Sequence, residues 1–277
     1  MTLNKKQILK CILLIFTVFI VFEYTKKPSL SGNWQTQLAI ASNAEFNGDL
    51  VKIKNIRNFR YYPEEKDTHP NYYDKEYDLS KIKKVWYTTE PFNENKIAAH
   101  TFISFEFENG DFLAITIEAR KTKNQTYNIW KGMLRTYPLI YIAADERDVT
   151  LMRANLRKDK VYVYQVRLQD PKNARILLKN MLNEMNNLLI SPRWYNTLFS
   201  NCTSEIAKQI NKVTPNRISQ LSWQLWLTAS ADEFAKKHGL LDTNLSIEEA
   251  REKFFITEKS QKIGDDPEYS KIIREQS

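Results

Sequence analysis

Cys202 is the residue in this chain best suited to nucleophilic chemistry. It sits in Ser200-Asn201-Cys202-Thr203-Ser204-Glu205, while the other cysteine, Cys11, lies inside an apolar run near the N-terminus. Ile206, Ile210 and Val213 recur at i, i+4 and i+7 after it, which marks one face of a helix. Ser200 or Asn201 is a suitable N-cap. A thiol in the first turn lies at the positive end of the helix dipole, which favours thiolate, the nucleophilic form. Such a nucleophile needs a base, and the chain has three histidines. His69 falls in a Thr-His-Pro segment that reads as an exposed loop. His238 precedes Gly239 at an expected helix C-terminus, where it complements the dipole. His100 opens a β-type run, Ala99 to Phe107, and is the candidate base.

That run must be positioned by a hairpin. It is followed by Glu108-Asn109-Gly110-Asp111 and a second β-type run, Phe112 to Ala119. Asn-Gly is a strong hairpin turn signal. Antiparallel pairing across it sets residue 100 opposite 118 or 119, so Glu118 falls within one residue of the position facing His100. Facing residues on one sheet face have Cβ atoms roughly 4.5–5.5 Å apart, close enough for a carboxylate to orient an imidazole. The competing expectation pairs Glu118 outward with Arg120 or Lys121. Asn201, or the backbone N–H groups of the first helical turn, could stabilise an oxyanion.

Residues 8–24 are nearly continuously apolar, with Lys5 and Lys6 before them and Lys26 and Lys27 after. Seventeen residues are short for a bilayer core of about 30 Å and long for a signal-peptide core. The absence of a small-x-small motif directly after favours an uncleaved anchor over a cleaved signal. The rest of the chain is then extracytoplasmic, where an unpaired thiol is reactive and its presence argues that it is used. The net charge is +8, of which residues 1–27 carry +4 (five lysines, one glutamate). The remaining excess forms no basic block, so a surface near anionic lipid fits better than nucleic acid. No metal-ligand cluster, Walker loop or dinucleotide fingerprint is present, so neither a metal nor a cofactor is expected.

Further elements follow from periodicity. Strands are expected at Leu50–Ile56, Lys84–Tyr87 and Val161–Leu168, a short helix around Trp34–Ala41, and a loop over residues 62–76. Residues 173–189 read as an amphipathic helix, and Ser246-Ile-Glu-Glu249 as a capping box. The last dozen residues read as frayed. The expected class is α+β, an antiparallel sheet packed against helices and preceded by a membrane helix. We divide the chain into an anchor (1–27), a linker (28–49), a catalytic domain (50–240) and a helical extension (241–277). The task of Trp223 and Trp226, whether covering the core or touching a membrane interface, stays open at this level.

Five segments resemble the Lnb N-terminal periplasmic domain family: Asn55–Arg60, Ala99–Phe107, Ile117–Arg120, Asp145–Asp148 and Tyr195–Thr203. The resemblance, over residues 50–213, implies a permuted papain-like fold of the NlpC/P60 type, in which a strand histidine precedes a helix cysteine. Lecithin:retinol acyltransferase-like proteins share that order and have a similar Asn-Cys segment. The resemblance implies lipoprotein N-acyltransfer, with Cys202 as nucleophile, His100 as base and Glu118 as orienter. Its partners would be a phospholipid acyl donor, a diacylated lipoprotein acceptor and the bacterial inner membrane. Arg57, Arg120 and Arg147 match family arginines, for which phosphate or carboxylate recognition and internal ion pairing are both open; Tyr195 is a further candidate contact. The rivals are a cysteine peptidase or amidase acting on peptide or cell-wall bonds, and a non-catalytic binding domain.

Overall fold

The computed structural model describes residues 4–61, 69–92, 98–214 and 218–275. Eight strands form one sheet: β1 (Asn43–Asn47), β2 (Leu50–Arg57), β3 (Tyr72–Asp78), β4 (Ile82–Pro91), β5 (Ala99–Phe107), β6 (Phe112–Ala119), β7 (Leu139–Asp145) and β8 (Tyr162–Gln165). Their order is β1-β2-β7-β6-β5-β4-β8, with β3 on the other edge of β2. Pairing is antiparallel except where β2 meets β7 at Arg57 and Ala144. The fold is therefore a mixed α/β arrangement on an open sheet.

The β5–β6 hairpin turns where Asn109-Gly110 demands it, with Gly110 at φ 86°. Alternation along β5 sends Ile103, Phe105 and Phe107 to one core and Phe102 to a second core across the sheet. On the first face lie α4 (Lys172–Ile190) and α5 (Cys202–Ile210). Leu177, Leu178, Met181, Leu182, Met185 and Leu188 form the buried stripe of α4 that the 3.6 period marks. On the opposite face lie α3 (Glu146–Leu151), a π-helical turn at Met152–Leu156, and α8 (Thr257–Ile263) with α9 (Tyr269–Ile272). Shorter helices complete the chain: α2 (Ile129–Met133), α6 (Ala231–Lys237) and α7 (Ile247–Phe254). The Ser246–Glu249 capping box opens α7 as expected.

The N-terminal α1 (Lys5–Thr25) has 21 residues, a mean hydropathy of 2.1 and no buried residue. It is long and apolar enough to cross a membrane. Its last turn docks on the domain: Arg135 Nη1 donates to the Glu23 and Tyr24 carbonyls at 3.0 and 2.8 Å, and Trp194 Nε1 donates to the Lys26 carbonyl at 3.1 Å.

Several expectations are corrected. β1 lies inside the stretch read as a linker, because Ala44 and Val51 contribute to the core. The 62–76 loop overlaps β3, whose polar alternation suits an edge strand; residues 62–68 lie outside the described residues. β7 was not anticipated: it is buried on both faces and lacks alternation. Residues 266–275 of the C-terminal dozen are packed rather than frayed, and 276–277 lie outside the described residues. Tyr269 is fully buried, and Arg274 pairs with Glu146 and lies over the Trp86 and Phe112 rings. The helix around Trp34–Ala41 shrinks to a 3-10 turn at Thr36–Leu38.

Candidate active site

β5 and β6 stay paired only as far as Phe102 and Thr116, although β5 continues back to Ala99 and β6 on to Ala119. The strands part there, and a cavity of about 620 Å³ occupies the fork. Ala99, His100, Glu118, Tyr195, Asn201 and Cys202 all line it. The fork brings the helix face and the opposite sheet face to one opening, so Cys202 from α5 and His100 from β5 reach the same space.

Extending the Phe102–Thr116 register sets His100 directly across from Glu118. His100 Nε2 lies 2.9 Å from Thr116 Oγ1 and 3.3 Å from Glu118 Oε1. Thr116 Oγ1 donates to Glu118 Oε1 at 2.9 Å, and Arg153 Nη2 donates to the same oxygen at 3.1 Å. Glu118 therefore pairs inward with His100 and Arg153, against the outward alternative with Arg120 or Lys121. With Nε2 held in this way, Nδ1 is the nitrogen left for a thiol. Burial lowers the His100 pKa to about 3, with Arg153 acting in the same direction and Glu118 against it. Burial pushes the Glu118 carboxyl up, but His100 and Arg153 outweigh it and hold the group at about 2. The resting pair is a neutral imidazole beside a carboxylate.

Cys202 is the first residue of α5, and Asn201 is its N-cap in a capping box with Ser204. The sulfur lies 3.9 Å from the Ala99 carbonyl and 3.9 Å from Thr203 Oγ1. No hydrogen bond joins it to the imidazole among the described residues. Burial raises the Cys202 pKa, partly offset by hydrogen bonds from Thr101. Removal from water thus works against the thiolate that the helix dipole favours. The resting group is a thiol, and its activation falls to a base.

Asn201 is also corrected as an oxyanion donor. Its Nδ2 is committed to the Thr197 and Leu225 carbonyls at 2.7 and 2.8 Å, while Oδ1 accepts from Ser204 N. The N–H groups of Cys202 and Thr203, which open the helix and so lack intrahelical acceptors, are better suited.

The three arginines lie away from this cavity. Arg57 forms a buried bidentate pair with Asp148, with both N···O distances 2.9 Å. Arg120 donates to the Leu38, Ala39 and Leu30 carbonyls and covers the Trp34 ring. Arg147 pairs with Asp145 and Asp265. Their guanidinium groups hold the fold together, so the reading as substrate contacts is corrected to internal pairing. Tyr195 does line the cavity, with its hydroxyl 3.5 Å from that of Tyr127.

Sequence reasoning missed Thr116, Glu90 and Arg153. Glu90 is opposite His100 on β4, and its Oε2 lies 2.6 Å from Arg153 Nε. Burial pushes Glu90 up to about 8, against the pull of Arg153 and Arg157. Arg153 sits in the π-helical turn, a distortion common at functional sites. The Thr-x-Glu alternation at 116 and 118, facing His100, was the available signal. A break from α to π geometry has none in a single sequence.

The cavity wall divides chemically. Lys121, Arg153 and Arg157 supply cationic groups, while Trp130, Met133, Leu198, Trp226 and Leu227 supply apolar and aromatic surface. A site with that lining suits an amphiphile better than a small polar solute.

Comparison with curated proteins gives no match, and comparison with solved structures gives none. The model of one family, described as the Lnb N-terminal periplasmic domain, matches residues 68–229, more than half of the 277-residue chain. The match reaches beyond the 50–213 resemblance at its C-terminal end and leaves Asn55–Arg60 outside. It spans the hairpin, the π turn, α5 and the Trp223–Trp226 segment, so every residue of the cavity falls within it. On that match the chain belongs to the Lnb N-terminal periplasmic domain family.

Proposed function

We propose that this protein is a membrane-tethered thiol acyltransferase that N-acylates bacterial lipoproteins with a phospholipid-derived chain. The observation that carries the reading is a single cavity lined by Cys202, the His100–Glu118 pair and an apolar wall. Family membership supports a periplasmic setting, and α1 supports a tether, for which we propose the inner membrane. The order of a strand histidine before a helix cysteine supports a permuted papain-like fold.

His100 Nδ1 takes the thiol proton as Cys202 Sγ attacks the ester carbonyl of a phospholipid. The S–C bond forms, the ester C–O bond breaks, and the lysophospholipid oxygen leaves with that proton. The α-amine of a diacylated lipoprotein cysteine then attacks the thioester. Its N–C bond forms, the C–S bond breaks, and the amine proton returns through His100 to the sulfur. Glu118 holds the imidazole tautomer and stabilises imidazolium as it forms. N–H groups at the start of α5 face the developing oxyanion. The sulfur and imidazole come together with substrate bound, since catalytic contacts are commonly long in a free site.

Mass spectrometry of lipoprotein N-terminal peptides from cells with the wild type and with Cys202→Ala tests the proposal. Loss of N-acylation is expected, and unchanged N-acylation in the variant would overturn it. A peptidase or amidase of the NlpC/P60 type is the second reading, favoured by the same Cys–His pair with water as acceptor. A trapped thioester carrying a peptide instead of a fatty chain would select it.

A further inference from the structure

Trp130 at the cavity, and Phe199, Leu221 and Trp223 close in the chain to its lining residues, are apolar side chains that no described residue covers. Trp130 is 72% exposed, Leu221 74%, Trp223 54% and Phe199 51%. They come from three segments, residues 129–134, 196–201 and 221–227, which hydrogen bonds fasten into one surface. Thr197 N donates to the Gly132 carbonyl at 3.1 Å and Asn196 Nδ2 to the Met133 carbonyl at 3.2 Å, joining the first two. Asn201 Nδ2 donates to the Leu225 carbonyl at 2.8 Å, joining the third, and the Phe199 and Trp226 rings meet edge to face at 5.7 Å. The segments approach so closely that a Cβ on Gly132 would lie 2.2 Å from Thr197 Oγ1. This is a built rim, rather than scattered surface leucines.

The same rim holds the end of α1. Arg135, which follows the first segment directly, donates to the Glu23 and Tyr24 carbonyls, and its guanidinium covers the Tyr24 ring at 4.4 Å. Trp194, just before the second segment, donates to the Lys26 carbonyl. An apolar helix whose C-terminal turn is pinned beside the cavity mouth sets that mouth at the level where the helix leaves the hydrocarbon. The exposed tryptophans are residue types suited to such an interface, and the exposed Lys27 at the end of α1 and Lys131 next to Trp130 in the chain suit anionic headgroups.

We infer that the occupant of this rim is the bilayer into which α1 inserts: Trp130, Phe199, Leu221 and Trp223 sit in its interfacial layer, and the cavity opens into lipid instead of bulk water. This is a statement about an interaction surface and stands independently of which bond Cys202 breaks.

The test uses the full chain reconstituted into vesicles of phosphatidylcholine and phosphatidylglycerol, with and without bromine on the acyl chains. Brominated lipid quenches tryptophans at the interface, and the chain has six tryptophans. The double substitution Trp130→Phe with Trp223→Phe is expected to remove half or more of the quenchable emission. It should also remove most of the emission that acrylamide reaches in detergent but not in vesicles. Unchanged bromolipid quenching in the double variant would overturn the inference, as would equal acrylamide access in vesicles and detergent. Should that variant unfold, an environment-sensitive dye on Leu221→Cys, in a Cys11→Ser and Cys202→Ala background, must shift blue in vesicles relative to detergent-free buffer at the same site. A water-like spectrum there is equally fatal, and so is a blue shift that brominated lipid does not quench, which a second copy of the chain covering the rim would give.

Discussion

Arg57 and Arg153 are both buried, both meet a carboxylate, and Asp148, which pairs with Arg57, shares one helical stretch with Arg153, yet the two sites are built to different ends. Asp148 accepts from Arg57 Nε and Nη2, from Phe59 N and from the Tyr61 hydroxyl, all at 2.8–2.9 Å, so its oxygens are fully engaged. Glu118 receives Arg153, Thr116 and the His100 contact at a single oxygen, Oε1, and its side chain keeps 21% exposure at the cavity. A closed, saturated ion pair specifies a fold. An unsaturated one facing a cavity, next to a neutral imidazole, can respond to a substrate. The difference explains why three arginines in recognisable segments proved structural while one outside them stands beside the candidate base.

Substitutions can break that comparison. Cys202→Ala should reduce acyl transfer by on the order of 10⁴ or more, since it removes the covalent route. His100→Ala should cost roughly 10²–10⁴, read as N-acylated peptide per unit time. Neither should lower thermal stability appreciably, and a large loss would return both residues to a purely structural role. On the closed side, Asp148→Ala should cost about 3–5 kcal/mol in urea unfolding by stranding buried Arg57. Glu118→Gln should be mild for stability yet slow transfer by about tenfold or more. If the two carboxylates behaved alike in both measurements, the contrast would be wrong.

Smaller effects sharpen it. Gly132→Ala should cost roughly 1–3 kcal/mol, because its Cβ cannot coexist with Thr197 Oγ1 where they stand. The acid limb carries a contribution from His100. Below its ordinary pKa of 6.5 the unfolded imidazole takes up a proton that the folded one refuses until about 3. Stability is therefore lost as pH falls from 6.5 towards 3, by about 1.4 kcal/mol at pH 5.5. Glu90, raised to about 8, contributes the opposite sign over the same window, so the His100 share is read as a difference: between pH 7.5 and 5.5 the urea midpoint of the wild type should fall relative to that of His100→Asn. Glu118 adds the same sign of dependence lower down, between 4.5 and about 2.

The sequence by itself determined the local pieces. Asn-Gly between two β-type runs placed the hairpin, and pairing across it put Glu118 within one residue of the position facing His100, because period 2 leaves little freedom once the turn is known. The stripe on α4, an N-cap at Ser200 or Asn201 and the capping box at Ser246 were equally local. Long-range contacts decided the rest. β7 had no periodicity to betray it, since a strand buried on both faces is apolar throughout. Burial by segments distant in the chain raises the Cys202 pKa, against the pull of its own helix end. The partners of Arg57, Arg120 and Arg147 likewise depended on which carboxylates and carbonyls the sheet brought near. Types and spacing pick out groups able to react; the fork between β5 and β6, a property of the whole sheet, decides which of them share a cavity.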